Sequence, residues 1–195
     1  MSDHFAAKLR RIEEIIDAGL DAAATVRVLE MLGGGGISAA DLEHGILYSE
    51  TLPKGREPGF SPEQRHLHFL WDAFDKLPLC LLVPFSIPFR RMLAGRLFAR
   101  RGEAFVCEEN VRFNFGQFLG VGCNVFFNRG VFLGTKGGLE IGEAVALAED
   151  VRVFTHGHSE ASHMERSYAK VVIEDHAKIY AGAVIMPGVR VGREA

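Results

Sequence analysis

Several polar side chains that can carry chemistry lie close together in the last third of the chain. The segment begins Thr155-His156-Gly157-His158, and it continues with His163, Glu165, Arg166 and Tyr168. Histidine side chains ordinarily titrate at about pH 6.5, so near neutral pH they can take a proton from a hydroxyl group or bind a metal ion. His158 and His163 have the spacing of five that metal ligands often show. The segment therefore predicts a proton-transfer site or a metal site.

The residues on either side of this segment follow a period of six, and they must position it. Ten apolar residues recur at this spacing in three runs: Val121, Phe127, Leu133, then Ile141, Leu147, Val153, and then Ile173, Ile179, Ile185, Val191. A second column, four residues after each of these, contains only Val, Ala or Gly. A period of six fits neither an α-helix nor a long alternating strand.

A period of six predicts a parallel β-helix made of hexapeptide repeats, in which one large and one small side chain per repeat point inward. The expected fold class is mainly β, a left-handed parallel β-helix preceded by an α-helical N-terminal region. Glycines are expected to relax the corners of the coil, at Gly122, Gly134, Gly142 and Gly192. A looser first coil is expected from a further set of residues six apart, Cys107, Phe113 and Leu119, in which Gln117 is a misfit in the small-residue column.

Two gaps interrupt the period of six. The step from Leu133 to Ile141 is eight residues, which indicates a two-residue corner insertion at 136–138. The step from Val153 to Ile173 is twenty, so about fourteen extra residues, roughly 157–170, must leave the coil as a loop. Long excursions from a rigid scaffold often carry function, so we expect the site there.

The first half of the chain has helical patterns instead. We predict two domains, a helical region at 1–102 and a repeat domain at 103–195. Ser61-Pro62-Glu63-Gln64 predicts a capped helix start, and a further helix is expected to follow Pro88 and to end at Gly102.

Composition and charge narrow the functional classes. The net charge of −3 gives no broad basic surface, which excludes nucleic-acid binding. Three cysteines and an N-terminus without a leader pattern predict a cytoplasmic protein with reduced thiols. The apolar stretch 77–89 is too short to span a bilayer. An arginine cluster follows it and predicts either a solvated face or an anionic partner, including a weak membrane-surface contact, through Arg90, Arg91, Arg96, Arg100 and Arg101.

Three features together resemble a known family. They are Phe127-Asn128, then Thr155-His156-Gly157-His158, then the run from Ile185 through Pro187-Gly188-Val189 to Gly192. Over about residues 110–195 they are similar to the hexapeptide-repeat acyltransferases of the maltose and galactoside O-acetyltransferase type. That resemblance implies an enzyme that moves an acetyl group from acetyl-CoA to a hydroxyl of a sugar or related acceptor. It also implies a homotrimer with sites between neighbouring subunits, and no metal.

The resemblance also implies roles for particular residues. His158 matches the catalytic histidine, a general base, and His156 is the alternative base. Asn128 and Arg166 are expected to bind the acceptor. Ala181, through its backbone N–H, and Lys178 are expected at the oxyanion and CoA-binding positions.

This chain also departs from the family pattern. Where the family has an acidic residue in the acceptor pocket, this chain has Gly134-Thr135-Lys136, which leaves the acceptor open. The repeats stop in mid-coil at Ala195, so we expect further coils, or a neighbouring molecule, to cover that end.

Two other functions stay open. One is a non-catalytic trimeric β-helix scaffold. The other is a metal enzyme like the γ-class carbonic anhydrases, although no histidine lies between His68 and His156 to supply the ligand expected from the preceding coil.

Overall fold

The structure, a computed structural model, describes residues 3–51, 59–162 and 165–195. The chain divides into two compact units, Met1–Arg96 and Leu97–Ala195. We describe each unit by itself. The division into domains at residues 102 and 103 stays a prediction.

The first unit is helical. Its helices are α1 (Asp3–Asp17), α2 (Ala22–Met31), α3 (Ala39–His44), α4 (Tyr48–Thr51), α5 (Pro62–Phe74) and α6 (Val83–Leu97), with a 3₁₀ helix at Pro78–Leu81. Its core consists of apolar residues that recur at helical spacing and are buried, among them Ile12, Ile16, Val28, Leu67, Leu70, Phe74, Phe85 and Phe89.

Local sequence explains most helix boundaries in this unit. The predicted capping box of α5 is confirmed: the Gln64 N–H donates to Ser61 Oγ at 3.2 Å, and the Ser61 N–H donates to Gln64 Oε1 at 3.1 Å. The predicted start and end of the last helix are wrong, because α6 begins before Pro88 and ends before Gly102. Pro88 lies inside α6, where it removes one backbone hydrogen bond, and the burial of its neighbours Phe85 and Phe89 offsets that loss.

A buried histidine lies on α5. The ring centroid of His68 is 4.4 Å from that of Phe60, and burial, which disfavours the charged form, lowers the pKa of His68 to about 3. Burial, followed by the nearby charge of Arg65, also lowers the pKa of His66. Both side chains therefore favour the neutral form at neutral pH.

Part of the arginine cluster is paired with carboxylates. Arg90 is buried, forms an ion pair with Asp75 and lies with its guanidinium carbon 4.8 Å from the centroid of the Phe74 ring. Arg96 forms an ion pair with Asp17. These pairs give no support to the expected membrane-surface contact. In the described ranges, the helices lack the length and apolar character required to cross a bilayer. The cytoplasmic location stays a prediction.

The second unit consists of short strands. They are β1 (Arg100–Arg101), β2 (Val106–Cys107), β3 (Arg112–Phe113), β4 (Leu119–Val121), β5 (Phe126–Phe127), β6 (Phe132–Gly134), β7 (Leu139–Ile141), β8 (Ala146–Leu147), β9 (Arg152–Phe154), β10 (His156–His158), β11 (Arg166–Tyr168), β12 (Val171–Ile173), β13 (Lys178–Ile179), β14 (Val184–Ile185) and β15 (Arg190–Val191).

The strands form three parallel sheets and one antiparallel hairpin. The first sheet has the order β1-β4-β7-β12-β15, the second β2-β5-β8-β13 and the third β3-β6-β9-β14, while β10 pairs with β11. The chain visits the first, second and third sheets in turn and then returns to the first, and we call one such passage a circuit. The predicted mainly β architecture with parallel strands is confirmed. Helical structure is not confined to the N-terminal region, however, because a 3₁₀ helix at Gly116–Phe118 lies in this unit.

The pairing register confirms the columns of six. Val121 pairs with Ile141, and Ile141 pairs with Ile173, so one column of side chains runs across successive circuits. The column residues from Val121 to Ile173 are fully buried. In the last circuit Ile185 is buried, whereas Ile179 and Val191 are partly exposed. Large apolar residues therefore occupy the interior wherever another circuit covers them.

The predicted first coil has the wrong register at one position. Arg101 pairs with Val121, so the column passes from Phe113 to Val121 and not to Leu119. The 3₁₀ helix at Gly116–Phe118 accommodates the two extra residues. Gln117 lies in that helix, which explains why it does not fit the column of small residues.

The corner glycines have a different role from the predicted one. Left-handed backbone conformations occur two residues later, for example at Asn124 (φ 56°) and Ala144 (φ 52°). A Cβ on Gly122 would lie 2.5 Å from the carbonyl oxygen of Gly142. Gly122 is therefore required because adjacent circuits approach closely, not because the turn needs its conformational freedom.

Candidate functional site

The predicted excursion is a β-hairpin. It lies where the chain passes from the third sheet back to the first, which we call the third-to-first connection. In the third circuit this connection contains β10 and β11, which pair antiparallel with His156 opposite Tyr168 and His158 opposite Arg166. The excursion begins one residue earlier than predicted, at His156.

One face of the hairpin holds the candidate chemistry. Because side chains alternate along strands, His156, His158, Arg166 and Tyr168 share a face, which we call the histidine face. The ring centroid of His156 is 5.7 Å from that of His158 and 6.5 Å from that of Tyr168. His158 is exposed, and the other three are half-buried. The structure thus brings the predicted base, the alternative base and the predicted acceptor-binding arginine together.

A buried threonine fixes the base of the hairpin. Thr155 is fully buried, and its Oγ1 accepts a hydrogen bond from the Gly137 N–H at 2.7 Å. The same hydroxyl donates to the carbonyl oxygen of Gly134, and the Thr155 carbonyl oxygen accepts from the Ala169 N–H at 2.9 Å. The residues on either side of the hairpin are therefore hydrogen-bonded to each other, and Thr155 is hydrogen-bonded to the preceding circuit.

A lysine lies in that preceding circuit beside the hairpin. Lys136 has only 8% of its surface exposed. It stands between Thr135, whose hydroxyl donates to the Phe115 carbonyl oxygen at 2.8 Å, and Gly137. The sequence pattern identified residues 136–138 as a corner insertion but gave Lys136 no role at the site. A long cationic side chain beside a column of small residues was the available signal.

The remaining predicted site residues lie elsewhere, on the turn between the second and third sheets. Asn128 follows β5 in this second-to-third turn, and its Oδ1 accepts from the Arg129 N–H at 2.8 Å. Ala181 lies in the same turn two circuits later, and Lys178, which is exposed, begins the strand that leads into it. Adjacent circuits stack at about 4.8 Å, so the two turns that contain Asn128 and Ala181 are about 10 Å apart.

The site residues of one chain therefore form two groups. His156, His158 and Arg166 lie on the third-to-first connection, whereas Asn128 and Ala181 lie on the second-to-third turn. The third sheet separates the two groups along the chain. The structure does not bring Asn128 and His158 together within one chain.

The metal alternative depends on a residue that the structure does not describe. His163 lies outside the described residues. Within 3–51, 59–162 and 165–195, the side chains of His, Cys, Asp and Glu form no group of three or more that could hold a metal ion.

Comparisons with known proteins place this geometry in context. A predicted acetyltransferase of Dictyostelium discoideum is 27% identical over 152 residues, which cover 74% of this chain and 72% of that protein. The structure is also similar to that of a hexapeptide-repeat acetyltransferase of Vibrio cholerae O1 biovar eltor complexed with acetyl coenzyme A. The TM-score is 0.57 and the identity 23%, over 67% of this chain and 68% of the other. The likeness is one of fold.

A second structure of a Vibrio cholerae hexapeptide-repeat acetyltransferase gives the same result. Its TM-score is 0.54 at 24% identity, and the match covers 69% of this chain and 77% of that one. No family model matches the chain. The expected resemblance to hexapeptide-repeat acetyltransferases is confirmed, and the narrower maltose and galactoside type stays a prediction.

Proposed function

We propose that this protein is an acyltransferase that moves an acetyl group from acetyl-CoA to a hydroxyl of a sugar or related acceptor. The observation that carries the proposal is the histidine face, where an exposed His158 stands on a hairpin anchored at its base. The similarities to the Dictyostelium and Vibrio proteins support the same activity.

The proposal includes a closed, left-handed β-helix. Three parallel sheets visited in turn, together with the fold similarity to hexapeptide-repeat proteins, support this arrangement. The hairpin then projects from one corner of a rigid coil. A rigid support of this kind suits catalysis because it holds the base in a fixed position.

His158 acts in this mechanism as the general base. An alcohol is a poor nucleophile near neutral pH, so a base must take its proton as the oxygen attacks the acetyl carbonyl carbon. A bond forms between the acceptor oxygen and that carbon, the bond from that carbon to the sulfur of coenzyme A breaks, and the proton passes from His158 to the departing sulfur. His156, half-buried against Tyr168, is the alternative base.

The second-to-third turn provides groups that suit the acetyl donor. The Ala181 N–H, exposed in its turn, donates to no acceptor in the described part of the chain. Such a backbone donor can stabilise negative charge on the carbonyl oxygen of the acetyl group. Lys178 begins the strand that leads into this turn, and its ammonium group suits the phosphate groups of coenzyme A.

The two groups of residues favour a homotrimer with shared sites. If Asn128 places the acceptor for His158, the two residues must come from different copies, because they occupy different corners of one chain. Cyclic assembly of three copies lets the third-to-first connection of one subunit meet the second-to-third turn of the next. Each trimer then contains three equivalent sites.

Release of the coenzyme A thiol from acetyl-CoA, measured with a panel of sugars, tests the proposal. We expect turnover by the wild type, and replacement of His158 by Ala should lower it by about 10²–10⁴-fold, because a general base contributes that much. His156→Ala is the matched control, with a much smaller effect. A reversed order would assign the base to His156. No thiol release with any acceptor would favour the non-catalytic scaffold.

A further inference from the structure

We propose that the acceptor carries an apolar group close to the hydroxyl that is acetylated, and that this group lies on the outer face of the third sheet. The inference rests on the proposed function, because it names the acceptor class of the same site. Four apolar side chains of that face would bind the group, and we call them the third-sheet patch: Phe132, Phe154, Val184 and Met186.

The side chains of the third-sheet patch point away from the interior of the repeat unit. The strands of the third sheet place Leu133, Val153 and Ile185 in the buried column of six. Because side chains alternate along a strand, the residues before and after these three lie on the outer face.

The third-sheet patch is continuous. The ring centroids of Phe132 and Phe154 are 5.6 Å apart. Gly134 pairs with Phe154, and a Cβ on Gly134 would lie 3.6 Å from the Phe132 ring, so glycine leaves the space beside the two rings open. In the next circuit, about 4.8 Å further on, Val184 is 54% exposed and Met186 is 57% exposed.

The patch leads directly to the histidine face. β9 ends at Phe154, and β10 begins at His156. Val153 and Thr155 are fully buried, whereas Phe154 and His156 are half-buried, so these last two side chains lie on the same side of the chain. Residues two apart on a strand are separated by about 6.6 Å, and the rings of His156 and His158 follow at 5.7 Å. A molecule that presents a hydroxyl to His158 can therefore extend along His156 to Phe154.

An arginine lies beside the patch. Arg152 is exposed and stands between Phe132 and Val184 in the pairing register. The stem of an arginine is apolar, and its guanidinium group stacks on aromatic rings. In the described strands of the third sheet, the outer positions contain no carboxylate. The surroundings of the patch therefore suit an apolar ring or a short alkyl group.

The size of the patch favours a small molecule over a second protein surface. Two side chains that are about half exposed and two half-buried rings offer on the order of 300 Å² to a partner. A stable protein–protein contact takes about 800 Å² from each partner. A phenyl group fits the smaller area.

The apolar group belongs to the acceptor and not to the acyl chain of the donor. The patch adjoins the histidine face, where the proposed base His158 takes the proton of the acceptor. The groups proposed for acetyl-CoA, Ala181 and Lys178, lie on the second-to-third turn and the strand that leads into it.

Matched glycosides test this inference. We would compare kcat/KM for methyl and phenyl glycosides of glucose and galactose, with acetyl-CoA as donor, using wild type, Phe154→Gln and Met186→Gln. Because Met186 is exposed, its replacement leaves the contact between the two phenylalanine rings intact. Val172→Gln is the control, since Val172 lies between the buried Val171 and Ile173 and so points outward from the first sheet.

Two further measurements identify what occupies the patch. Calorimetry of glycoside binding gives a readout that does not require acetyl transfer. A parallel series with hexanoyl-CoA and the methyl glycosides tests the acyl chain as the alternative source of the apolar group.

We expect wild type to favour the phenyl over the methyl glycoside of at least one sugar by about tenfold, in kcat/KM and in affinity, because the ring leaves water as it packs on Phe154. Phe154→Gln should remove most of this preference, Met186→Gln should reduce it, and Val172→Gln should leave it unchanged. Because the preference is a ratio, a general loss of activity does not imitate this result.

Four results would overturn the inference. The first is equal use and equal binding of the methyl and phenyl glycosides, and the second is a preference that survives in both Phe154→Gln and Met186→Gln. The third is a preference for hexanoyl-CoA that these variants abolish, which would assign the patch to the acyl chain. The fourth is a smaller oligomer in sedimentation of Met186→Gln, which would assign the patch to a contact between subunits.

Failure of the inference and failure of the proposed function give different results. If acetyl transfer to the methyl glycosides proceeds without a phenyl preference, the proposed function stands and only the acceptor class is wrong. If no glycoside supports thiol release, the proposed function fails, and calorimetry then decides the inference. Tighter binding of the phenyl glycosides that depends on Phe154 supports it, and equal binding overturns it.

Discussion

The hydroxyl oxygen of Thr155 accepts a hydrogen bond from the backbone N–H of Gly137 at 2.7 Å and so joins the hairpin to the preceding circuit. Thr155 is fully buried, and Gly137 is partly buried. The rigidity of the candidate site therefore depends on a residue that carries no chemistry itself.

Thr155→Val should loosen the hairpin. Valine keeps the shape of the threonine side chain but removes its hydroxyl. The Gly137 N–H then has no acceptor, and the Gly134 carbonyl oxygen loses one of its two donors. This loss should lower the free energy of unfolding by about 1–3 kcal/mol. Denaturant unfolding measures the loss, and amide hydrogen exchange at Gly137 should accelerate. Thr155→Ser keeps the hydroxyl and is the control. Equal stability of the Val and Ser variants would contradict this account.

Two glycines two residues apart should respond differently to alanine. A Cβ on Gly122 would meet the Gly142 carbonyl oxygen at 2.5 Å, and backbone cannot easily move, so Gly122→Ala should cost about 1–3 kcal/mol of unfolding free energy. A Cβ on Gly120 would meet the carboxylate of Glu140 at 2.2 Å, which is the end of a flexible side chain.

Gly120→Ala should therefore cost less than about 1 kcal/mol, because it displaces Glu140 from Arg100 and Lys170, and all three side chains are partly exposed. Thermal unfolding of both variants under one buffer condition compares them directly. A larger loss for Gly120→Ala than for Gly122→Ala would show that the stacking distance is not the limiting factor.

Mixed subunits should recover activity if the site is shared. His158→Ala and Asn128→Ala should each be impaired alone. When the two are refolded together into random trimers, about a quarter of the interfaces would combine an intact His158 from one subunit with an intact Asn128 from the next. Thiol release by the mixture should then exceed that of either variant. No recovery, or a monomer in sedimentation, would contradict the shared site.

His68 should make the first unit less stable in acid. Because its pKa is lowered to about 3, the folded chain does not bind the proton that the unfolded chain takes up below about pH 6.5. The free energy of unfolding should fall by up to about 1.4 kcal/mol per pH unit between pH 6.5 and pH 5. His68→Gln should flatten this slope. The single tryptophan, Trp71 on the same helix, reports the transition by fluorescence.

His66→Gln serves as the comparison for that measurement, because the pKa of His66 is also lowered and by the same main cause. A slope that does not change in His68→Gln would show that this side chain takes up its proton at an ordinary pH in the folded state.

The repeat columns could be predicted from the sequence because the interior of the repeat domain accepts only large apolar residues in one column and only Val, Ala or Gly in the other. It failed at Leu119, where two buried residues, Leu119 and Val121, both satisfy that rule and only the 3₁₀ helix decides between them. The first strand, Arg100–Arg101, was missed because its side chains are charged. A period in apolar residues cannot reveal a strand whose side chains are charged.

The candidate site was predictable in composition but not in arrangement. A gap in the period located the polar segment that contains His158. It could not show that Arg166 lies opposite His158, because the register of a hairpin depends on its turn and polar strands do not constrain it. Nor could it show that Lys136, next to the residue that is hydrogen-bonded to Thr155, is buried.

The length of the third circuit has a consequence for how such proteins diversify. Phe127 pairs with Leu147 twenty positions later, whereas Leu147 pairs with Ile179 thirty-two positions later, yet the sheets continue in the same register on both sides. The hairpin is therefore an insertion, and its length and sequence can vary without a change in the pairing of the parallel strands on either side. New acceptor preferences could arise by exchanging this one segment, and a designer could graft a foreign hairpin between Thr155 and Ala169 with the rest of the chain unchanged.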